Sequence, residues 1–260
     1  MRLTAITRDV SPSLNHCELS FYERQPIDIA KATEQHHAYR ECLAELGASV
    51  ISLPAEPELP DAVFVEDAAL VLDELAIMTN MGAPSRRREV DTLAPVLARY
   101  RPLRFLTAPA TLDGGDVLRA GRTLFVGSSG RTNREGIEQL RELLEPYDYI
   151  VQPVAVRGCL HFKSACSYLG DGTILLNRWW IDPEPLQEFQ LLDVPAEEPA
   201  AANALLLNDV VILPASFPKT KALLARHGFR LRTVDISELQ KAEAGVTCSS
   251  LIFNTRDGAD

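Results

Sequence analysis

Along this chain one grammar returns several times: two short apolar runs split by a two-residue polar turn, then a loop, then a stretch with helical spacing. The first clear copy runs from Ala62 to Val65 and on through Ala69 to Leu72, turns at Asp73-Glu74 and continues over Leu75 to Thr79. After Gly82-Ala83-Pro84 it reaches a helix with Val90, Leu93, Ala94 and Leu97 on one face, where Pro95 is expected to kink the helix or shift its boundary. A second copy comprises Gly115 to Leu118, a turn at Gly121-Arg122, Thr123 to Val126 and a helix from Thr132. There Thr132 and Glu135 have capping-box spacing, and Ile137, Leu140 and Leu144 form the apolar stripe. A third copy has strands at Ala165 to Leu169 and Thr173 to Leu176 around Asp171-Gly172, with a weak helical part. In the fourth, Ala204 to Leu207 and Val210 to Leu213 flank Asn208-Asp209, and the helix ends near His227-Gly228. The turns lie roughly 40 to 50 residues apart, the period of a repeat architecture.

The two ends of the chain supply what a fifth copy needs. Met1 to Arg8 reads as a strand, Ser11 to Glu23 as a polar loop, and the chain is helical from about Ile27. That helix places Tyr39, Cys42, Leu43 and Leu46 on one face, with Gly47 just past its end; of His36 and His37, one is expected packed and one at the surface. Val50 to Leu53 is a short strand. Near the other end, Val246, Leu251, Ile252 and Phe253 suit a buried strand, with Cys248 at its start. Joined to the N-terminal strand, this run closes a ring like a clasp. The pattern therefore predicts an α/β fold, a five-bladed pseudosymmetric α/β propeller formed by residues 1–260 as one domain, with a disordered tail from about residue 254. A doubly wound sheet needs single strands alternating with helices, whereas here each helix follows a hairpin.

Composition narrows the function. Of 260 residues 46% are hydrophobic and 24% charged, as in ordinary globular chains, and a formal net charge of -10 disfavours nucleic acid while suiting a small cationic ligand. The five cysteines, Cys17, Cys42, Cys159, Cys166 and Cys248, have neither CxxC spacing nor a dense framework, so free thiols are expected. The first ten residues lack the apolar core of a signal peptide, and no apolar run approaches membrane-spanning length. The cytoplasm is the expected compartment.

Ring closure brings equivalent positions of successive repeats to one pole of a central channel. Just before the predicted helices stand Arg86, Arg131 and Lys219, where positive charge opposes the helix dipole. Two arginines at corresponding points suggest a carboxylate clamp for Arg86 and Arg131, whereas Lys219 reads as surface. Glu66 and Asp67 place two carboxylates inside an apolar run, which is costly unless something positive neutralises them. Asp113 and Asp116 repeat the theme around Gly114-Gly115. A structural ion pair or a turn-forming aspartate is the plainer reading of Asp116 taken alone. No HxH, HExxH or DxHxD cluster points to a metal. An acidic pair for a planar cation, arginines for a distant carboxylate, and a thiol with an imidazole, Cys248 and His161, together imply an arginine-like ligand. Hydrolysis of a guanidinium needs a strong nucleophile and a proton donor to the departing nitrogen.

Six ordered stretches carry a family resemblance: Pro60 to Asp67, Gly82 to Arg87, Thr111 to Leu118, Gly130 to Asn133, Leu160 to Ser164 and Val246 to Ser249. Together they resemble the dimethylargininase (dimethylarginine dimethylaminohydrolase) family of the guanidino-group-modifying pentein superfamily, over nearly the whole chain. The resemblance implies a pentein propeller that hydrolyses methylated arginines to citrulline and dimethylamine or methylamine without a cofactor. It implies Cys248 as nucleophile, His161 as proton donor and then base, and Asp113 as support for His161. It further implies Glu66 and Asp67 as the guanidinium-binding pair and Arg86 and Arg131 as the carboxylate clamp. Asp61 and backbone carbonyls near Leu19 and Ala242 would take the α-amino group, Phe64 would form part of the pocket wall, and residues 11–23 would act as a lid. Any zinc between Cys248 and His161 would inhibit by occupying the nucleophile. The partner is a small alkylated arginine, not nucleic acid or membrane, and a homodimer is compatible with the chain. Where the family commonly has Asp-Gly, this chain has Glu243-Ala244. An arginine deiminase, a hydrolase of another alkylguanidine and a non-catalytic binding propeller are the rival readings.

Overall fold

A computed structural model describes residues 2–255. In chain order its strands are β1 (Arg2–Arg8), β2 (Ser49–Leu53), β3 (Ala69–Val71), β4 (Ala76–Met78), β5 (Leu103–Phe105), β6 (Val117–Ala120), β7 (Thr123–Ser128) and β8 (Ile150–Ala155). They continue with β9 (Cys166–Tyr168), β10 (Thr173–Leu176), β11 (Gln190–Asp193), β12 (Leu205–Leu207), β13 (Val210–Pro214), β14 (Arg230–Val234) and β15 (Leu251–Thr255). The helices are α1 (Ile29–Glu45), α2 (Glu89–Leu97), α3 (Arg134–Leu144), α4 (Phe162–Ala165), α5 (Pro218–Arg226) and α6 (Ser237–Gln240). None of them is long and apolar enough to cross a membrane.

The strands form five sheets of three with one shared pattern. An inner strand pairs antiparallel with its hairpin partner, which pairs parallel with an outer strand: β3-β4-β5, β6-β7-β8, β9-β10-β11, β12-β13-β14 and β15-β1-β2. The parallel partner explains the helices, since a parallel neighbour needs a crossover, which α1, α2, α3 and α5 provide in four blades. In the third blade only a short 3-10 turn at Glu184–Leu186 remains, in keeping with the weak helical pattern there. The fifth sheet joins the two ends of the chain, with Arg2 opposite Thr255 and Ile6 opposite Leu251. This is the predicted clasp, and the architecture is the expected five-bladed propeller.

Turn chemistry accounts for the hairpins. Asp171-Gly172 and Asn208-Asp209 both have positive φ at the two central positions, as a type I′ turn requires. Gly47, at φ +93, ends α1 as foreseen. His36 is packed and His37 exposed. Apolar clusters fill the space between blades; the largest seats α1, through Tyr39 and Leu43, against Val63, Phe64 and Val246.

Several expectations are corrected. Ala62 to Val65 is not strand: backbone turns from Asp61 to Phe64 and from Phe64 to Asp67 lead into a 3-10 turn at Val65–Ala68, so Glu66 and Asp67 lie at the mouth of β3. The helix expected from Thr132 is capped one residue later, because Asn133 Oδ1 accepts the Gly136 N–H at 2.8 Å while the Thr132 hydroxyl donates to Asp116. Pro95 sits inside α2, two residues before its end at Leu97. Asn254 and Thr255 belong to β15, not to a tail; the rest of the expected tail lies outside the described residues. The outer strands β5, β8, β11 and β14, each flanking a loop or helix, were not foreseen.

Candidate active site

Each inner strand is preceded by a few residues at the same pole of the ring, and these carry the chemistry. Asp67 lies two residues before β3, Asp113 four before β6, His161 five before β9, Asn203 two before β12 and Cys248 three before β15. Residues distant in sequence thereby converge. Asp61, Phe64, Asp67, Arg86, Arg131, His161, Ala242 and Cys248 line one cavity of about 320 Å³, with Glu18, Leu160, Glu243 and Ala244 completing it.

Close backbone approach makes the convergence possible. A Cβ on Gly114 would fall 2.0 Å from the Glu66 carbonyl oxygen, and one on Gly115 would fall 2.6 Å from both Asp67 Oδ1 and His161 Nδ1. Gly245 packs as tightly against Asn203. Only glycine fits these places. Asn203 in turn accepts the Thr247 N–H and donates to its hydroxyl, the Glu66 N–H donates to the Cys248 carbonyl, and Ser250 hydrogen-bonds Tyr39 of α1. The thiol is held by its neighbours on both sides.

His161 is buried between carboxylates. Its Nε2 lies 3.0 Å from Asp113 Oδ2, and its Nδ1 lies 3.7 Å from Asp67 Oδ1. Burial opposes the imidazolium, but Asp67, Asp113 and Asp116 outweigh it and raise the group to about 9. Asp113 is fixed by the Gly82 N–H on its other oxygen. Cys248 is only partly exposed. Burial first, then the negative charges of Glu66 and Asp67, push its thiol up to about 12, so at neutral pH the empty site holds a thiol beside an imidazolium.

Asp67 is anchored by two donors, the Gly115 N–H to Oδ1 at 3.0 Å and Arg86 Nη1 to Oδ2 at 2.7 Å. Burial works against its ionisation, but His161, Arg86 and Lys163 together hold its carboxyl below the ordinary range. Asp116 is structural, as its plainer reading had it: it accepts from Ser129, Thr132 and the Phe162 N–H, tying the α3 and α4 starts together. Asp61 is buried and accepts the Glu18 N–H.

Two of the expected site residues, Glu66 and Arg86, are held by protein partners in this structure. Glu66 does not face this cavity. Its carboxylate receives Lys163 Nζ at 2.6 Å and the Thr247 hydroxyl at 2.7 Å, and it lines the central channel of about 1,210 Å³ together with residues of β3, β6, β9, β12 and β15. Adjacent residues of a 3-10 turn point different ways, so the acidic pair is divided and Asp67 alone serves the cavity. The two arginines of the expected clamp both line the cavity but are not equivalent. Arg86 is fully engaged, with Nε and Nη2 on Glu89 at 2.9 Å each and Nη1 on Asp67. Arg131 is the arginine with capacity to spare: its Nη1 is buried with no hydrogen-bond partner, 3.9 Å from Asp113 Oδ2. Lys219 pairs with Glu197 at the surface, as expected. Leu19 packs on the cluster around α1, next to Glu18 at the cavity rim.

Four contributors escaped the sequence reading: Glu18, Glu89, Lys163 and Asn203. Only Glu89 had a local signal, since it stands three residues after Arg86 on the turn entering α2. Ligand-type atoms of Asp67, Asp113 and His161 lie within 4.8 Å of one another, a set without Cys248. Each of these carboxylate oxygens already faces a protein donor or His161. The arrangement thus suits holding a charged imidazole rather than ligating a metal.

Comparison with known proteins agrees with this geometry. The family model described as N,N dimethylarginine dimethylhydrolase, eukaryotic, matches residues 6–171. An N(G),N(G)-dimethylarginine dimethylaminohydrolase of Streptomyces coelicolor is 40% identical, covering 95% of each chain, and one of Pseudomonas aeruginosa is 37% identical over 87% of this chain and 90% of its own. Among solved structures, a mutant DDAH from Pseudomonas aeruginosa complexed with citrulline superposes with a TM-score of 0.92 at 34% identity, over 97% of this chain and all of that one. The N-terminal domain of ArgZ, an arginine dihydrolase, shares the fold with a TM-score of 0.89 at 19% identity. The ring of five three-stranded sheets, the cavity at its pole and these likenesses place the chain in the dimethylarginine dimethylaminohydrolase family.

Proposed function

We propose that this chain hydrolyses Nω-methylated arginines to L-citrulline and dimethylamine or methylamine, with Cys248 as nucleophile. The observation that carries this reading is that Cys248, His161, Asp67 and Arg131 line one small buried cavity. Asp67 takes the guanidinium, and Arg131, through its unpartnered Nη1, takes the substrate carboxylate. Asp61 and the carbonyls of Leu19 and Ala242 take the α-amino group, and Phe64 forms the wall.

The incoming cation offsets the negative field of Asp67 and Glu66, and the thiol proton leaves to bulk water as the thiolate becomes affordable. Sulfur then bonds to the guanidinium carbon. The imidazolium of His161 gives its proton to the alkylated nitrogen, the C–N bond breaks, and the amine departs, leaving a thiouronium on Cys248. Neutral His161 next takes a proton from water as the hydroxyl adds to the same carbon. The C–S bond breaks as the hydroxyl proton passes to the departing sulfur, restoring the Cys248 thiol and releasing citrulline. Asp113 and Asp67 keep His161 charged before the first step and oriented for the second.

The five free cysteines fit a reducing compartment, and we assign the cytoplasm. Any zinc bound between Cys248 and His161 would inhibit by occupying the nucleophile. Product analysis tests the reading: with asymmetric dimethylarginine the chain is expected to yield citrulline and dimethylamine in equal amounts. Ammonia from arginine as the dominant reaction would assign it as a deiminase instead, and no turnover of any guanidine would leave a binding propeller.

A further inference from the structure

In the loop between β1 and α1, Leu19 packs on the apolar cluster around α1, but the tip that follows it at the rim of the candidate site turns its aromatic side chains outward. Phe21 and Tyr22 are 52% and 47% exposed. What fixes the tip is one carboxylate oxygen: Glu243 Oε1 accepts the backbone N–H groups of Ser20 at 3.0 Å, Phe21 at 2.5 Å and Tyr22 at 2.7 Å. Three successive amides converging on one anion form a nest, in which charge-assisted bonds are individually stronger than neutral ones. Glu243 reaches this position only with φ at +61, a left-handed backbone that costs a non-glycine residue about 1 kcal/mol. Its other oxygen, Oε2, is buried with no partner. Two further polar bonds of the loop end on site residues: the Glu18 N–H donates to Asp61, and Arg131 Nη2 donates to the Ser20 hydroxyl at 3.3 Å. Glu243 itself lines the cavity beside Cys248.

We propose that Glu243 is a positioning residue: its carboxylate latches residues 20–22 over the cavity, and the latch opens and closes as ligand passes. The turnover consequence rests on the function proposed above; the latch itself does not. A latch of hydrogen bonds to exposed backbone suits this role, because water replaces each bond when the loop lifts, whereas an apolar seal would have to be exposed.

Amide hydrogen exchange on the full chain, comparing the parent with Glu243→Gly and Glu243→Gln, tests the latch. Glycine suits φ +61, so Glu243→Gly removes the acceptor while easing the backbone, and its melting temperature is expected to stay at or above that of the parent. The amides of Ser20, Phe21 and Tyr22 are expected to exchange at least tenfold faster in Glu243→Gly and to an intermediate degree in Glu243→Gln, with β7 unchanged. Unaltered exchange at these three amides in both variants would overturn the latch, and should the glycine variant not fold, the glutamine variant carries the comparison. If the parent turns over methylarginine, KM is expected to rise about tenfold in Glu243→Gly with a smaller fall in kcat. Loss confined to kcat would overturn the positioning role, while an inactive parent with fast-exchanging variants would refute the activity and keep the latch.

Discussion

His161 Nε2 meets Asp113 Oδ2 at 3.0 Å, and neither side chain has appreciable exposure. Asp67, this contact and Asp116 together keep the imidazole charged at neutral pH although burial alone would strip its proton.

Replacing Asp113 with asparagine keeps the shape and removes the charge. The group at position 161 is raised to about 9 in the parent, so its acid role holds below that pH and fails as pH rises through it. In Asp113→Asn the alkaline limb of the kcat profile is expected to move down by about one unit or more, with kcat lowered roughly 100-fold, the scale of a misdirected proton donor. An alkaline limb at the same pH in both proteins would remove Asp113 from this role.

Cys248 is expected to resist alkylation in the empty enzyme. With its thiol pushed up to about 12, the rate of inactivation by iodoacetamide should climb with pH from 7 to 10 without levelling. A plateau below pH 8 would show a preformed thiolate.

Arg86 is a buried counter-ion, and its removal leaves Asp67 and Glu89 without it. Arg86→Met is expected to cost about 3 kcal/mol or more in urea unfolding, the scale of breaking a buried pair from one side. Stability within about 0.5 kcal/mol of the parent, together with a raised KM alone, would instead restore Arg86 to the substrate clamp.

Glycines of the same motifs separate by what surrounds them. Gly115→Ala places a methyl group 2.6 Å from Asp67 Oδ1 and His161 Nδ1, and kcat/KM is expected to fall about 100-fold through misplacement of both. At Gly130 no atom lies within 4 Å of an added Cβ and no positive φ is required, so Gly130→Ala should be near parental. Equal effects of the two substitutions in steady-state assays would contradict the packing described here.

The repeat, the turns and the clasp were legible in the sequence because a hairpin's alternation and an Asp-Gly or Asn-Asp turn are local signals. The outer strands were not: β5 is three residues with two exposed, so it carries almost no apolar pattern. Cys248, His161, Asp67, Asp113, Asp61 and Arg131 converge at one pole, and ring closure with motif order is enough to bring them together. Which way Glu66 points, and which arginine is spent on Glu89, depends on the path of a 3-10 turn and on a partner across the fold. Glu243 stood out in the sequence only as a departure from Asp-Gly; that its carboxylate holds three amides of a loop some 220 residues away had no local trace.

The most direct test of the thiol's role is acid quenching of the enzyme within its first turnover of asymmetric dimethylarginine, followed by mass spectrometry of the Cys248 peptide. A mass increment equal to substrate minus dimethylamine on that peptide, absent in Cys248→Ser, is the predicted result. Undiminished citrulline formation by Cys248→Ser, with no adduct on the parent at any quench time, would contradict it.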